Sequence, residues 1–131
     1  MRYLDSSAIV KLILVEAETR VLSVYLSDGV PQASCAVATT EVVRAVGSYG
    51  RDAIARAQAS LRSIEMIAID DLLLNVASEL KPWKLRSLDA LHLATALAIG
   101  DRLEAVVTYD RRMADAARTL GMAVESPGAP G

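Results

Sequence analysis

The sequence predicts an α/β domain built on a parallel sheet, and three observations carry that expectation. Five short runs rich in apolar and β-branched residues alternate with seven longer segments of helical period. Glycine, proline or Asp-Gly stands at most of the places where a helix must stop. At 131 residues the chain is long enough to bury one core and too short for two.

RYLD reads as the first strand, followed by helices over 7–14 and 18–26, the second ended by Asp28-Gly29 with Pro31. QASCAV is the second strand; a helix over 40–48 follows, and Gly50 separates it from another over 52–62. IEMIAI is the third strand, leading to a helix over 72–80 that Pro82 stops. A helix over 88–99 closes at Gly100, EAVVTY is the fourth strand, and a helix over 111–120 closes at Gly121 before the last strand, MAVE. Residues 1–125 form one domain on this reading, with 126–131 (SPGAPG) a flexible tail.

Hydrophobic residues make up 53% and charged residues 23%, a globular balance that excludes disorder for the body of the chain. The lone Cys35 leaves no internal disulfide and reads as a small buried hydrophobe. With no charged leader and apolar signal core ahead of the first strand, a soluble, cytoplasmic protein is expected. Lys11, Glu16, Arg44 and Asp89 break the apolar stretches short of the roughly 20 residues that a spanning helix needs. A net charge of -2 and a pI of about 5.4 exclude a global positive field, so a nucleic-acid partner must be held by local basic groups.

Open parallel sheets bind ligands outside the carboxyl ends of their strands. Asp5 follows the first strand, Glu41 lies in the first turn of the helix after the second, Asp89 begins another helix, and Asp110 follows VVTY. Each has a plain explanation, because an acid at a helix N-terminus caps backbone N–H groups for ~0.5–2 kcal/mol and favours the dipole by ~0.3–1 kcal/mol. Redundancy points away from it: Ser6 and Ser7, Thr39 and Thr40, and Ser87 offer neutral caps to three of the four helices. Asp70-Asp71, with no neutral cap nearby, reads as a cap outside the site.

Four converging carboxylates repel one another unless a cation sits among them. Such hard oxygen donors suit Mg²⁺, with Mn²⁺ as a substitute. A metal held there makes bound water a nucleophile at neutral pH and polarises a phosphodiester oxygen, so the chemistry implied is metal-assisted phosphodiester hydrolysis.

YLDSSAIVKL, TTEVVRA, LRSLDALHLATAL and VVTYDRRMADAARTLGMAV together resemble, in order and spacing, the blocks of PIN-domain ribonucleases, most closely the VapC toxins of bacterial VapBC toxin–antitoxin pairs. The resemblance covers nearly the whole chain. It implies a three-layer sandwich with a five-stranded parallel sheet of order 3-2-1-4-5, and an acidic quartet of Asp5, Glu41, Asp89 and Asp110. Asp5 and Asp89 are then the most direct metal ligands, and Ser6 and Thr108 the supporting hydroxyls. It further implies a homodimer and a groove for the C-terminal segment of a VapB-type antitoxin, a role that the apolar stretches AIVKLILV and VLSVYL suit. The departures are Ser6, where many relatives have Thr, and the absence of Phe; the first keeps the hydroxyl and the second alters core volume.

Other residues have two readings. His92, on the same helix as Asp89 and amid LHLATAL, reads as a structural, hydrogen-bonded histidine, with general base or metal ligand as the alternatives. Arg44 either pairs with Glu41 at i+3 or meets a phosphate. Lys84, Arg86, Arg111 and Arg112 flank the Asp89 and Asp110 junctions, where Arg86 and Arg112 are placed for RNA phosphates and a solvated charge run is the alternative. Trp83 reads first as a packing anchor after Pro82 and second as a platform for a base.

The leading expectation is therefore a Mg²⁺-dependent endoribonuclease toxin cutting structured RNA such as tRNA or rRNA and inhibited by its antitoxin. Two other classes stay open. A phosphoacceptor signalling module of receiver type would want paired acids after the first strand and a lysine after a late one, where this chain has serines and Asp110. A catalytically silent interaction domain of the same fold would cleave no RNA.

Overall fold

The computed structural model describes residues 1–130. Five strands, β1 (Arg2–Leu4), β2 (Gln32–Cys35), β3 (Glu65–Ile67), β4 (Ala105–Val107) and β5 (Val124–Glu125), form one sheet of order β3-β2-β1-β4-β5. Every neighbouring pair is parallel, with Tyr3 opposite Ala33 on one side and Val106 on the other. The helices are α1 (Ser6–Ile13), α2 (Thr19–Leu26), α3 (Ala38–Val46), α4 (Arg51–Arg62), α5 (Asp71–Glu79), α6 (Ser87–Ile99) and α7 (Arg111–Thr119). This is the expected three-layer α/β sandwich and strand order.

Alternation along the strands assigns the two layers. Leu4 and Val107 face a core made by Ala8, Ile9 and Ile13 of α1, Leu22 of α2, Val42 and Val46 of α3, and Ala57 of α4. Tyr3, Ala33, Cys35 and Val106 face the other way, onto Leu93 and Ala96 of α6 and Met113 and Ala117 of α7. Cys35 is buried as expected. Helix α6 is apolar nearly all round because it lies between the sheet and α5, which packs on Ala90 and Ala94.

Between α3 and α4 runs a single 3₁₀ turn, Gly47–Tyr49, and Gly50 makes the break at φ 103°, open to glycine and strained for other residues. The predicted strands are trimmed at their ends. QASCAV stops at Cys35 because Val37 already has helical backbone and starts α3. Beyond β5, Ser126 Oγ donates to the Thr108 carbonyl and Tyr109 Oη to that of Pro127, so the segment expected as a tail contacts the β4 end.

Candidate active site

The carboxyl ends of β2, β1 and β4 lie side by side, and the acids that follow them come to one edge of the sheet. Asp5 N bonds the Val107 carbonyl at 3.2 Å, so the exit of β1 is tied to β4 just where Thr108 begins. Asp5 is 3% exposed. Its Oδ1 accepts from Ser7 Oγ at 2.6 Å and Ala8 N at 3.0 Å, and its Oδ2 accepts from Thr108 Oγ1 at 2.5 Å. Burial pushes the carboxyl above its ordinary value, against the opposing pull of the Ser7 and Thr108 hydroxyls.

The expectation that neutral residues free the acids from capping is corrected here. Asp5 is itself the N-cap of α1, and Asp110 caps α7 through Oδ1, which accepts from Arg112 N at 2.9 Å and Met113 N at 3.4 Å. Ser6 and Ser7 lie inside α1 with their hydroxyls spent on Glu41 and Asp5. Thr39, Thr40 and Ser87 also lie inside their helices, whose N-caps are Val37 and Arg86 with no side-chain capping bond. Asp70, by contrast, caps α5 as expected, bonding Leu73 N at 2.8 Å beside the edge strand β3.

Glu41 projects from the first turn of α3 toward α1 and α6. Ser6 Oγ donates to its Oε1 at 2.6 Å, and His92 Nε2 lies 2.7 Å from the same oxygen. Burial works against the charge on Glu41, but the His92 and Ser6 hydrogen bonds outweigh it and hold the carboxyl below its ordinary value. Asp89, in the first turn of α6, is pushed above its ordinary value by burial and then by the negative charges of Asp110 and Asp5, with His92 and Arg86 opposing. Three acids from α6, β1 and the β4 exit are therefore in electrostatic reach of one another. His92 joins Glu41 to the group.

The donor set fits a hard divalent cation. Its oxygens are carboxylates, two of them carry a raised pKa that a cation would relieve, and Oδ2 of Asp5 and Oε2 of Glu41 keep free lone pairs. The fit is one of chemistry: among the described residues no group of three or more His, Cys, Asp or Glu stands close enough together to hold a metal ion.

Supporting hydroxyls differ from expectation in one respect. Ser6 serves Glu41, whereas Ser7, absent from the sequence-based site, serves Asp5 and accepts from Tyr109 N at 2.9 Å. Thr108 serves Asp5 and also accepts from Asp110 N at 3.1 Å. The signal for Ser7 was only its place two residues after an acid. Arg44 is exposed and forms no ion pair among the described residues, so its pairing with Glu41 is not made. Trp83 is 69% exposed with Lys81 Nζ 5.9 Å from its ring centre, which overturns the packing-anchor reading.

Beside Asp89 opens a cavity of about 370 Å³ lined by Lys84, Leu85, Arg86, Arg112 and Asp115 among others. A second, of about 660 Å³, borders Asp110 with Lys11, Arg111 and Arg118. The basic residues expected near the site thus face its two flanks.

A PIN domain family model matches residues 2–119. Ribonuclease VapC46 of Mycobacterium tuberculosis is 46% identical over 125 residues, which cover 95% of this chain and 96% of that protein. The crystal structure of M. tuberculosis VapC20, a sarcin-ricin loop cleaving toxin, superposes with a TM-score of 0.76 at 14% identity, covering 97% of this chain and 100% of that one. A toxin–antitoxin complex from Klebsiella pneumoniae gives a TM-score of 0.75 at 22% identity, covering 97% of this chain and 98% of that one. With the sheet order, the acids at its carboxyl edge and a near full-length match to a VapC ribonuclease, the chain belongs to the PIN domain family and, within it, to the VapC group.

Proposed function

We propose that the protein is a Mg²⁺-dependent endoribonuclease, the toxin of a toxin–antitoxin pair, hydrolysing phosphodiester bonds of structured RNA and held inactive by a VapB-type antitoxin. The observation that carries this reading is the gathering of Asp5, Asp89 and Asp110 at the carboxyl edge of the central strands, where burial first and then the charges of Asp110 and Asp5 raise Asp89. Relatives named ribonucleases, a fold neighbour that cleaves the sarcin-ricin loop and another solved as a toxin–antitoxin complex support the substrate class and the partner.

Asp5, Glu41, Asp89 and Asp110 would hold the metal, Asp5 and Asp89 most directly. Held by these residues, such a cation would supply Lewis-acid chemistry, activating water and stabilising charge on the scissile phosphate. The chain's own residues do the rest. Ser7 and Thr108 fix the Asp5 carboxylate, Ser6 and His92 fix Glu41, and Arg86 and Arg112 are placed beside Asp89 to neutralise flanking phosphates.

Asp5→Asn is expected to lower RNA cleavage by about 100-fold or more while keeping the cap oxygen and the fold. Full residual cleavage in that variant, measured with purified protein and Mg²⁺, would sink the proposal. One observation favours the catalytically silent reading: two of the four acids also cap helices. Loss of wild-type cleavage on adding a chelator separates the two, because a silent domain has no cleavage to lose.

A further inference from the structure

His92 lies behind Glu41. It is 2% exposed, packed edge-on against Tyr3 with ring centres 5.8 Å apart, and both its nitrogens are engaged. Nε2 faces Glu41 Oε1 at 2.7 Å, and Nδ1 faces the hydroxyl of Tyr3, itself fully buried, at 2.6 Å. We propose that His92, locked by Tyr3, is a positioning residue for Glu41, and that the pair presents this carboxylate to the acidic site through Oε2 alone.

The assignment follows from counting donors and lone pairs. An ionised carboxylate only accepts, so the nitrogen that faces it must carry a proton whatever the charge of the ring. In a neutral imidazole Nδ1 is then the acceptor and takes the Tyr3 hydroxyl proton, which fixes the ring's orientation. Ser6 Oγ and His92 Nε2 both end on Oε1, and a carboxylate oxygen has about two lone-pair sites, so Oε1 is saturated. Oε2 has no donor among the described residues and is the one atom of Glu41 left to act.

The chain Tyr3, His92, Glu41 joins β1, α6 and α3, so the orientation of one carboxylate is set by three separate elements. Rotating Glu41 to offer both oxygens would break two hydrogen bonds to a charged group, and His92 could not follow without losing Tyr3. The same geometry removes His92 from the roles of general base and metal ligand, because neither nitrogen is free.

That Oε2 serves a metal rests on the proposed function; the orientation of His92 does not. The imidazole ¹⁵N shifts of the metal-free full chain are expected to show the proton on Nε2, and a proton on Nδ1 alone overturns the assignment. In an EPR titration with Mn²⁺, His92→Leu is expected to bind about 10-fold or more weakly than wild type. Tyr3→Phe should fall between them, and His92→Gln, which restores an N–H donor, should recover much of the loss. RNA cleavage should lose kcat in the same order with KM for RNA unchanged.

Mn²⁺ affinity and kcat unchanged in both His92→Leu and Tyr3→Phe would overturn the positioning role. If His92→Leu does not fold, Tyr3→Phe carries the comparison, since it keeps the ring and removes only the hydroxyl. A wild-type protein that binds no Mn²⁺ would sink the metal reading of the site, while the ¹⁵N spectrum still decides the orientation of His92.

Discussion

Asp5 combines two roles that the residues around it made look separable. Its Oδ1 closes the first turn of α1 and takes the Ser7 hydroxyl, and its Oδ2 reaches across the sheet to Thr108. Burying that charge has a measurable consequence. Because the folded-state pKa of Asp5 and of Asp89 lies above the unfolded value, the folded protein holds protons that the unfolded chain has already released. Their contribution to stability is therefore greatest below the ordinary carboxylate range and is lost as pH rises through the folded values. Glu41 runs the other way, adding stability above its ordinary value that is lost as pH falls through its lowered one. Asp5→Asn removes one of the costly charges, so in chelator its melting temperature should exceed that of wild type at pH 7. The gap should close as pH falls to about 4, the ordinary carboxylate value, and a gap independent of pH would contradict the account.

At the scale of elements, α5 and α7 begin alike, with an aspartate oxygen on the backbone, and differ in what else the acid does. Asp70 sits at the edge of the sheet and bonds Leu73 N alone, whereas Asp110 stands beside Thr108 and in range of Asp89. Asp70→Ala should cost about 1 kcal/mol in urea unfolding, the usual worth of a cap, and leave RNA cleavage unchanged. A loss of cleavage in a folded Asp70→Ala protein would place that acid in the site after all. Helix α6 shows why the neutral-cap argument failed. Its first residue is Ser87 and its N-cap Arg86 makes no side-chain capping bond, because burial of Ala90, Leu93 and Ala96 against the sheet and α5 stabilises it from the side.

For the whole molecule, charge and apolar surface decide how partners bind. With a net charge of -2, the proposed RNA substrate would have to be held by local cations such as Arg86 and Arg112 beside Asp89. A few phosphate contacts give a shallow salt dependence, near -0.7 in log affinity per contact for single strands, so anisotropy titrations should weaken steadily with salt with a slope of about -1 to -2. Affinity insensitive to salt would rule out phosphate neutralisation by these residues. Leu72 and Val76 lie one turn apart on an exposed face of α5, Leu72 being 70% exposed, and α2 leaves Val21 and Val24 in the open. Of the two stretches expected to form association surfaces, VLSVYL leaves Val21 and Val24 open, and we propose this face for the homodimer that the family resemblance implies, whereas Ala8, Ile9 and Ile13 of AIVKLILV lie in the core. Light scattering should give a dimer mass for the free protein, and a monomer at micromolar concentration would refute the homodimer. Among the described residues no helix is long and apolar enough to cross a membrane.

What the sequence determined by itself is the set of elements, their order and the positions of the acids. Those follow from short-range physics: alternating burial in strands, the 3.6-residue period in helices, and glycine or proline at the stops. The four acids were legible because each stands at a strand exit or helix start, where a parallel sheet gathers its ligands. What only the tertiary structure decided is which side chain holds which. Ser6 and Ser7 are neighbours in the chain, yet one bonds Glu41, 35 residues on, and the other bonds Asp5 and meets the β4 exit. The link from Tyr3 through His92 to Glu41 spans separations of 89 and 51 residues. No local pattern encodes such pairs, because they exist only once β1, α3 and α6 are packed against one another.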